Sequence, residues 1–264
     1  EKMKPSAQGD PEQGPFGAET VVRGNTAFAL DLYRRLRVAK GNLFFSPHSI
    51  STALAMTWAG ARGHTESQMA QALHFPPDQQ QLHAAFASLE ARLRSVQEKG
   101  HVRLEVANAL WPHTGYPFLE AFLALAKEYY GVAITPVDYV AHETARRRIN
   151  AWVEEKTHEK IRELIPQGVL TVLTRLVLVN AIYFKGAWKE EFDPEDTRDD
   201  VFYLSPKQSV QASFMRQQEE FRYAQFASMQ IVELPYRGDE LSMLILLPAR
   251  IEGLQQLEES LSTK

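Results

Sequence analysis

Leu176-Val177-Leu178-Val179-Asn180-Ala181-Ile182-Tyr183-Phe184 is the most apolar stretch of the chain. Its apolar side chains occupy both alternating positions, so a strand here would bury both faces rather than one. Gly186 follows and can end the strand. We therefore predict a central strand, with Asn180 as the one amide side chain within it.

Further strands are predicted on both sides of this stretch. Residues 101–110 alternate apolar and polar side chains, which is typical of a strand with one buried face. Residues 231–236 and 241–247 flank a four-residue polar loop and predict a hairpin. Helical spacing dominates the first half of the chain and strands the second. This order favours an α+β fold over a doubly wound α/β fold.

The N-terminal region predicts a tail followed by ordered structure. Residues 1–22 are rich in Gly and Pro and lack periodicity, so we expect a flexible tail there and one domain over residues 23–264. Leu43-Phe44-Phe45 predicts a short buried strand. It ends at Ser46, which can cap a helix that starts at Pro47.

Composition excludes several classes of function. The 264 residues carry a net charge of −4, which gives no reason to expect nucleic acid as a partner. No apolar run is typical of a signal peptide or a membrane span, and we expect no membrane partner. The chain has no cysteine, but a protein of this size can be secreted without disulfides. We expect an extracellular location, and a cytoplasmic location is the alternative.

Motifs for catalysis or cofactor binding are missing from the sequence. The eight histidines form no HExxH pair, and no nucleotide-binding or serine-hydrolase motif is present. We therefore expect no metal, no cofactor and no enzymatic activity. A basic cluster could make a weak contact with an anion or a sulfated polysaccharide, through Arg92, Arg94, Lys99 and Arg103, next to His101. Neighbouring glutamates also allow an ordinary solvated surface.

Several segments, in order along the chain, resemble the serpin family. Leu178-Val179-Asn180-Ala181-Ile182-Tyr183-Phe184-Lys185-Gly186-Ala187-Trp188 is the most specific match. Residues 42–56 resemble the strand-to-helix segment near the start of serpins, residues 108–111 a sheet strand, and residues 149–153 the helix across the main sheet. The resemblance runs from about Asn25 to Lys264 and implies helices packed around three mixed or antiparallel sheets.

In serpins, an exposed reactive loop is cleaved by a protease and then inserts into the main sheet. The resemblance thus implies an inhibitor whose partner is a serine-class protease, and the protease supplies the nucleophile. A non-inhibitory carrier, chaperone or storage protein is the alternative. The reactive bond would lie beyond Lys264, so the C-terminal segment of the same protein is an expected partner of this chain.

The resemblance also implies which residues serve the movement of the sheet. Small hydroxyls and amides can exchange hydrogen-bond partners as strands separate. The residues implied for the region where the sheet opens are Ser46, Ser49, Asn108 and Asn180, with Asn150 on the covering helix and Trp188 where insertion begins. Ordinary capping, buried hydrogen bonding and core packing are the alternative roles of these side chains.

Overall fold

The computed structural model describes residues 17–39 and 41–263. The helices are α1 (Ala18–Leu36), α2 (Pro47–Trp58), α3 (Gly63–Leu73), α4 (Gln79–Glu98), α5 (Glu120–Tyr130), α6 (His142–Lys156) and α7 (Leu254–Ser260). The strands are β1 (Val102–Pro112), β2 (Ala133–Ile134), β3 (Leu176–Gly186), β4 (Arg198–Ser205), β5 (Gln208–Phe214), β6 (Arg222–Gln225), β7 (Met229–Pro235) and β8 (Ser242–Pro248).

The chain forms two compact units. The first comprises residues 17–94 and 105–183 together with Thr263, and the second comprises residues 95–104 and 184–262. Helices dominate the first unit and strands the second, as the sequence predicts. A single domain over residues 23–264 stays a prediction.

The strands form three sheets, in the orders β2-β1-β3, β4-β5 and β6-β7-β8. β1 and β2 are parallel, whereas the two smaller sheets are antiparallel. The Asn108 and Asn180 side chains are hydrogen-bonded, and the His113 amide donates to Arg175 O, so β1 and β3 run in opposite directions. The predicted α+β fold with three mixed or antiparallel sheets is confirmed, and so is the hairpin, as β7 and β8.

Two hydrophobic clusters form the core of the first unit. One is built from α2, α4 and α5 around Trp58 and Phe86, both fully buried. The other lies between α6 and the strands β1 and β3. There Ile149 and Val153 of α6 pack with Ala109 and Val179 of the strands. The helix therefore covers one face of the sheet that holds the most apolar stretch of the sequence.

The predicted tail over residues 1–22 is wrong for its last residues. α1 begins at Ala18, and Val21 is buried in the cluster that contains Trp58. The residues before Val21 are rich in Gly and Pro, which is typical of a loop. Packing of Val21 against this core nevertheless stabilises the first turn of α1. Residues 1–16 of the predicted tail lie outside the described residues.

The predicted buried strand at residues 43–45 is also wrong. These residues form no strand within the described chain, and the side chain of Phe44 is fully exposed. A strand is stabilised by pairing with a neighbour, and no described strand pairs with this segment. The helix that follows is as predicted, because Ser46 caps α2 and Pro47 is its first residue.

β3 differs from the predicted central strand in its position. Among the described residues it lies at the edge of its sheet, with β1 on one side only. Val179 and Ala181 are buried, and most of the other apolar side chains of β3 are half-buried. A strand with apolar side chains on both faces and one unpaired edge is ready to pair with another strand.

A buried histidine lies in the first cluster. The His83 imidazole is fully buried, and its Nδ1 lies 2.6 Å from the Tyr130 hydroxyl oxygen. Its Nε2 has no hydrogen-bond partner among residues 17–39 and 41–263. Burial lowers the pKa of His83 to about 4, because a protonated ring inside the core lacks the water that stabilises its charge in solution. The folded protein therefore holds this histidine neutral.

We expect His83 to make the protein sensitive to acid. The unfolded chain takes up a proton on His83 below pH ~6.5, whereas the folded protein does not until pH falls to about 4. Stability should therefore fall as pH drops through this window, by up to about 1.4 kcal/mol per pH unit. His83→Gln should flatten this pH dependence in urea unfolding, and His64→Gln, at an exposed site, serves as the control. Equal slopes in the His83→Gln variant and the unmodified protein would contradict the assignment.

Candidate functional site

Four elements of the first unit are joined by one directional series of hydrogen bonds. Ser49 Oγ on α2 donates to Asn180 Oδ1 on β3. Asn180 Nδ2 donates to Asn108 Oδ1 on β1, 2.6 Å away, and Asn108 Nδ2 donates to Tyr130 O at the end of α5, 3.2 Å away. We call Ser49, Asn180, Asn108 and the Tyr130 carbonyl the amide relay.

The start of α2 positions the first member of the relay. Ser46 accepts a hydrogen bond from the Ser49 amide at 3.2 Å, and Pro47 fits the first helical position. This cap fixes the first turn of α2, from which the Ser49 side chain reaches β3. Ser46 itself makes no hydrogen bond to Asn180 among the described contacts, so it supports the relay without being part of it.

Asn150 lies outside the relay. Its Nδ2 donates to Ile165 O and its Oδ1 accepts from Ile165 N, both at 2.9 Å. The side chain is buried on the face of α6 that covers the sheet. It therefore ties α6 to the segment that leads into β3, and a role for Asn150 in the movement of the sheet stays a prediction.

Two further hydroxyls of α2 are buried. The Ser51 and Thr52 side chains have no hydrogen-bond partner within the described residues. Residue type alone does not distinguish them, because a hydroxyl inside an apolar helical pattern typically bonds a carbonyl of its own helix. The Tyr130 carbonyl could not be predicted from the sequence either, because every residue has a backbone carbonyl.

Trp188 lies in the second unit, where it stacks on Tyr236. The ring centroids are 4.6 Å apart and the planes differ by 11°. Backbone hydrogen bonds flank the pair, from Lys189 N to Pro235 O at 3.0 Å and from Arg237 N to Ala187 O at 2.9 Å. Trp188 is thus held by both its ring and its backbone.

Gly186 allows a close approach beside this pair. A Cβ at Gly186 would lie 2.8 Å from Cδ1 of Tyr236. Phe184 packs edge-on against the same Tyr236 ring, with the centroids 4.9 Å apart. The glycine that ends β3 therefore makes room for the aromatic contacts around Trp188.

The basic cluster is divided between the two units. Arg92 and Arg94 belong to the first unit, whereas Lys99 and Arg103 belong to the second. Lys99 Nζ lies 2.5 Å from Glu240 Oε1. Contact of these four residues with an anion or polysaccharide stays a prediction.

The site contains hydrogen-bonding groups rather than a catalytic arrangement. Within residues 17–39 and 41–263, no three His, Asp or Glu side chains are placed to hold a metal ion. None of the helices in that part of the chain has the length and apolarity to cross a bilayer. The relay can hold strands together and exchange partners, because its members are neutral donors and acceptors.

Comparison with known proteins identifies the family. The family model described as "Serpin (serine protease inhibitor)" matches residues 23–264. The leukocyte elastase inhibitor of Sus scrofa is 44% identical over 253 residues, which cover 92% of this chain and 66% of that protein. The chain therefore belongs to the serpin family, and it spans about 66% of the length of this relative.

Solved serpin structures share the fold. Ovalbumin from emu (Dromaius novaehollandiae) has a TM-score of 0.87 and 34% identity, covering 92% of this chain and 67% of that one. A loop-inserted structure of a cleaved ovalbumin mutant has a TM-score of 0.82 and 31% identity, covering 92% of this chain and 68% of that one. Both likenesses agree with the resemblance found in the sequence.

A double-mutant cycle tests whether the relay is energetically connected. Ser49→Ala and Asn180→Ala each remove one side of the same hydrogen bond, so their effects on unfolding free energy should be non-additive by about 1 kcal/mol. Thr57→Ala with Asn180→Ala is the matched control, because the exposed Thr57 hydroxyl, on the same helix as Ser49, donates to Ala53 O. Urea unfolding measures both cycles. Additive effects for Ser49 and Asn180 would show that they do not act together.

Proposed function

We propose that this chain is the N-terminal two-thirds of a protease inhibitor that acts by inserting a cleaved loop into its main sheet. The complete protein would carry a further C-terminal segment, of the length found in its relatives. The target is a serine-class protease, in keeping with the leukocyte elastase inhibitor that is 44% identical to this chain. In this role the protein is a substrate that traps the protease, and it is not an enzyme.

The observation that carries this proposal is the match of residues 23–264 to the serpin family, and β3 offers a place for insertion. β3 is the outer strand of its described sheet, and its backbone can therefore take an added strand on that side. An inserted loop would gain a ladder of backbone hydrogen bonds and bury its alternate side chains. The likeness to a cleaved, loop-inserted ovalbumin supports insertion within this fold.

The amide relay suits the opening of the sheet. Its bonds run between side chains and to one carbonyl, so they can break without loss of the backbone ladder. We assign Ser49, Asn108 and Asn180 to the sheet-opening region, with Ser46 as the cap that supports it. Asn150 holds the covering helix, and Trp188 marks where insertion begins.

The C-terminal segment of the complete protein would also cover apolar groups that are exposed in this chain. Phe44 is fully exposed, and Leu244 and Leu247 of β8 are more than half exposed. Among the strands that the structure describes, β8 pairs with β7 alone, so its other edge can pair with a further strand. Backbone pairing and apolar burial at these places support the segment as an intramolecular partner.

The complete protein should form a complex with a serine protease that survives denaturing electrophoresis. Trypsin-like, chymotrypsin-like, elastase-like and subtilisin-like enzymes would be incubated with it, and the products followed by gel and by thermal melting. The protein cleaved in its loop should melt at a higher temperature than the intact protein, because insertion relaxes a strained native state. The control is each protease with its active-site serine already blocked.

Two outcomes would contradict inhibition. Simple cleavage without a covalent complex, for all four enzymes, would favour a carrier, chaperone or storage protein on the same fold. An unchanged melting temperature after cleavage would mean that the loop does not insert. In either case the family assignment would stand and the inhibitory mechanism would not.

Asn180→Leu tests the sheet-opening assignment separately. The change removes two hydrogen bonds that join β3 to α2 and β1, so the complete protein should polymerise faster on heating. A loss of one to two kcal/mol in the closed state corresponds to a rate increase of roughly 5- to 30-fold. Asn42→Leu, at an exposed position, is the control. Unchanged polymerisation and unchanged inhibition kinetics would rule out the assignment.

A further inference from the structure

The C-terminal end of α6 has an unusual backbone for its residue types. After Thr157, His158 and Glu159 have φ of 49° and 61°, in the left-handed region that favours glycine. Glu159 N donates to Glu154 O at 2.8 Å, and His158 N donates to Glu155 O at 3.2 Å. This is the Schellman pattern of helix ends, in which glycine commonly occupies the position that His158 takes. Non-glycine residues therefore hold a strained turn here.

The His158 side chain joins this turn to two strands of the sheet. Its Nε2 lies 2.8 Å from Glu105 Oε2 on β1. Its ring packs edge-on against Tyr183 on β3, with the centroids 4.3 Å apart. One imidazole thus contacts two neighbouring strands, which a glycine at this position could not do. These contacts give a physical reason for a histidine in a glycine-type position.

The path of the chain after His158 makes this contact important. β3 begins at Leu176, whereas His158 lies beside Tyr183, towards the other end of the same strand. Residues 159–175 must therefore run back along the length of β3. Ile165 and Leu170 of this return segment pack in the cluster that contains Val179 of β3. The His158 contacts fix the start of the return segment over β3.

The rest of α6 is held differently. Ile149 and Val153 are fully buried, and Trp152 packs edge-on against Trp111 of β1 with the centroids 6.1 Å apart. In contrast, the His158 and Glu105 side chains retain 33% and 30% of their exposure. Replacement of His158 should therefore loosen the end of α6 without emptying the core beneath the helix.

We propose that His158 is a positioning residue that fastens the last turn of α6 and the return segment to β1 and β3, and so limits how readily β3 takes an added strand. The fastening itself follows from the contacts, whereas its effect on strand addition rests on the proposed function. A strand that pairs with the edge of β3 has to displace any part of the return segment that overhangs this edge. Release of His158 frees the start of the return segment for that displacement.

Hydrogen exchange on the complete, uncleaved protein tests the fastening without a protease. His158→Asn keeps a residue that tolerates the left-handed backbone but removes both strand contacts. Amides of the last turn of α6 and the first part of the return segment should exchange about 3- to 10-fold faster, the effect of one lost hydrogen bond. Glu105→Gln should give a smaller increase, and a combined variant should show no further increase.

Two matched variants separate fastening from general destabilisation. His142→Asn makes the same change in the first turn of α6, where the ring's ion-pair contact is with Glu143 of the same helix, and should leave the last turn unaffected. Tyr183→Phe keeps the ring that packs on His158, so the last turn of α6 should exchange more slowly in this variant than in His158→Asn. Heat-induced polymerisation of His158→Asn should accelerate by a similar factor, while its urea midpoint moves little.

The outcomes distinguish this inference from the proposed function. Unchanged exchange at the last turn in His158→Asn would overturn the inference, and so would an equal increase along the whole chain. Faster local exchange with an unchanged polymerisation rate would overturn the link to strand addition. Failure of the proposed function is seen instead in the unmodified protein, as the absence of a protease complex, and leaves the exchange comparison valid.

Discussion

The hydrogen bond between Asn180 and Asn108 connects the parts of the first unit on which the site depends. It joins β3 to β1, and through Ser49 and the Tyr130 carbonyl it reaches α2 and α5. A buried amide that loses its partner costs more than the bond contributes, so each member keeps the next in place. The position of β3 therefore depends on a few polar contacts as well as on apolar packing.

The two kinds of contact have different mechanical properties. Packing of Ile149 and Val153 over the sheet is non-directional, and it resists separation over the whole contact area. The amide relay and the His158 contacts are directional, and each can be lost as a discrete step. The proposed mechanism, in which the sheet stays closed and then opens once, uses both kinds of contact, because packing alone offers no defined point of release.

Much of the fold could be predicted from the sequence, since long periodic segments dominate it. The α2 cap at Ser46, the β7–β8 hairpin and the strand at Leu176–Gly186 all follow from residue types and spacing. The start of α1 could not be predicted, because Val21 is ordered by distant core residues. The strand predicted at residues 43–45 failed for the opposite reason: its sequence is strand-like, but no described strand pairs with it.

The candidate site could be predicted only in part. The resemblance in sequence points to Ser49, Asn108 and Asn180. Their order in the relay depends on which atoms form each hydrogen bond, and only the structure gives this. The partners of His158 are 53 and 25 residues away in the chain, so no local pattern could indicate them. The sequence His158-Glu159 predicts two solvent-exposed polar side chains. The positive φ of both residues in the structure is what shows that the turn is unusual.

The topology of the sheets has a consequence for synthesis of the protein. The β7–β8 hairpin pairs Pro235 with Ser242, seven residues away, whereas the Asn108–Asn180 contact spans 72 residues. Local hairpins form early, while distant pairings wait for loop closure and set the folding rate. On the ribosome, the edge of β1 that pairs with β3 must therefore stay unpaired until β3 has been synthesised. The sheet that opens in the proposed mechanism is thus also one whose assembly leaves a strand edge unpaired during synthesis, and such an edge can pair with another chain and aggregate.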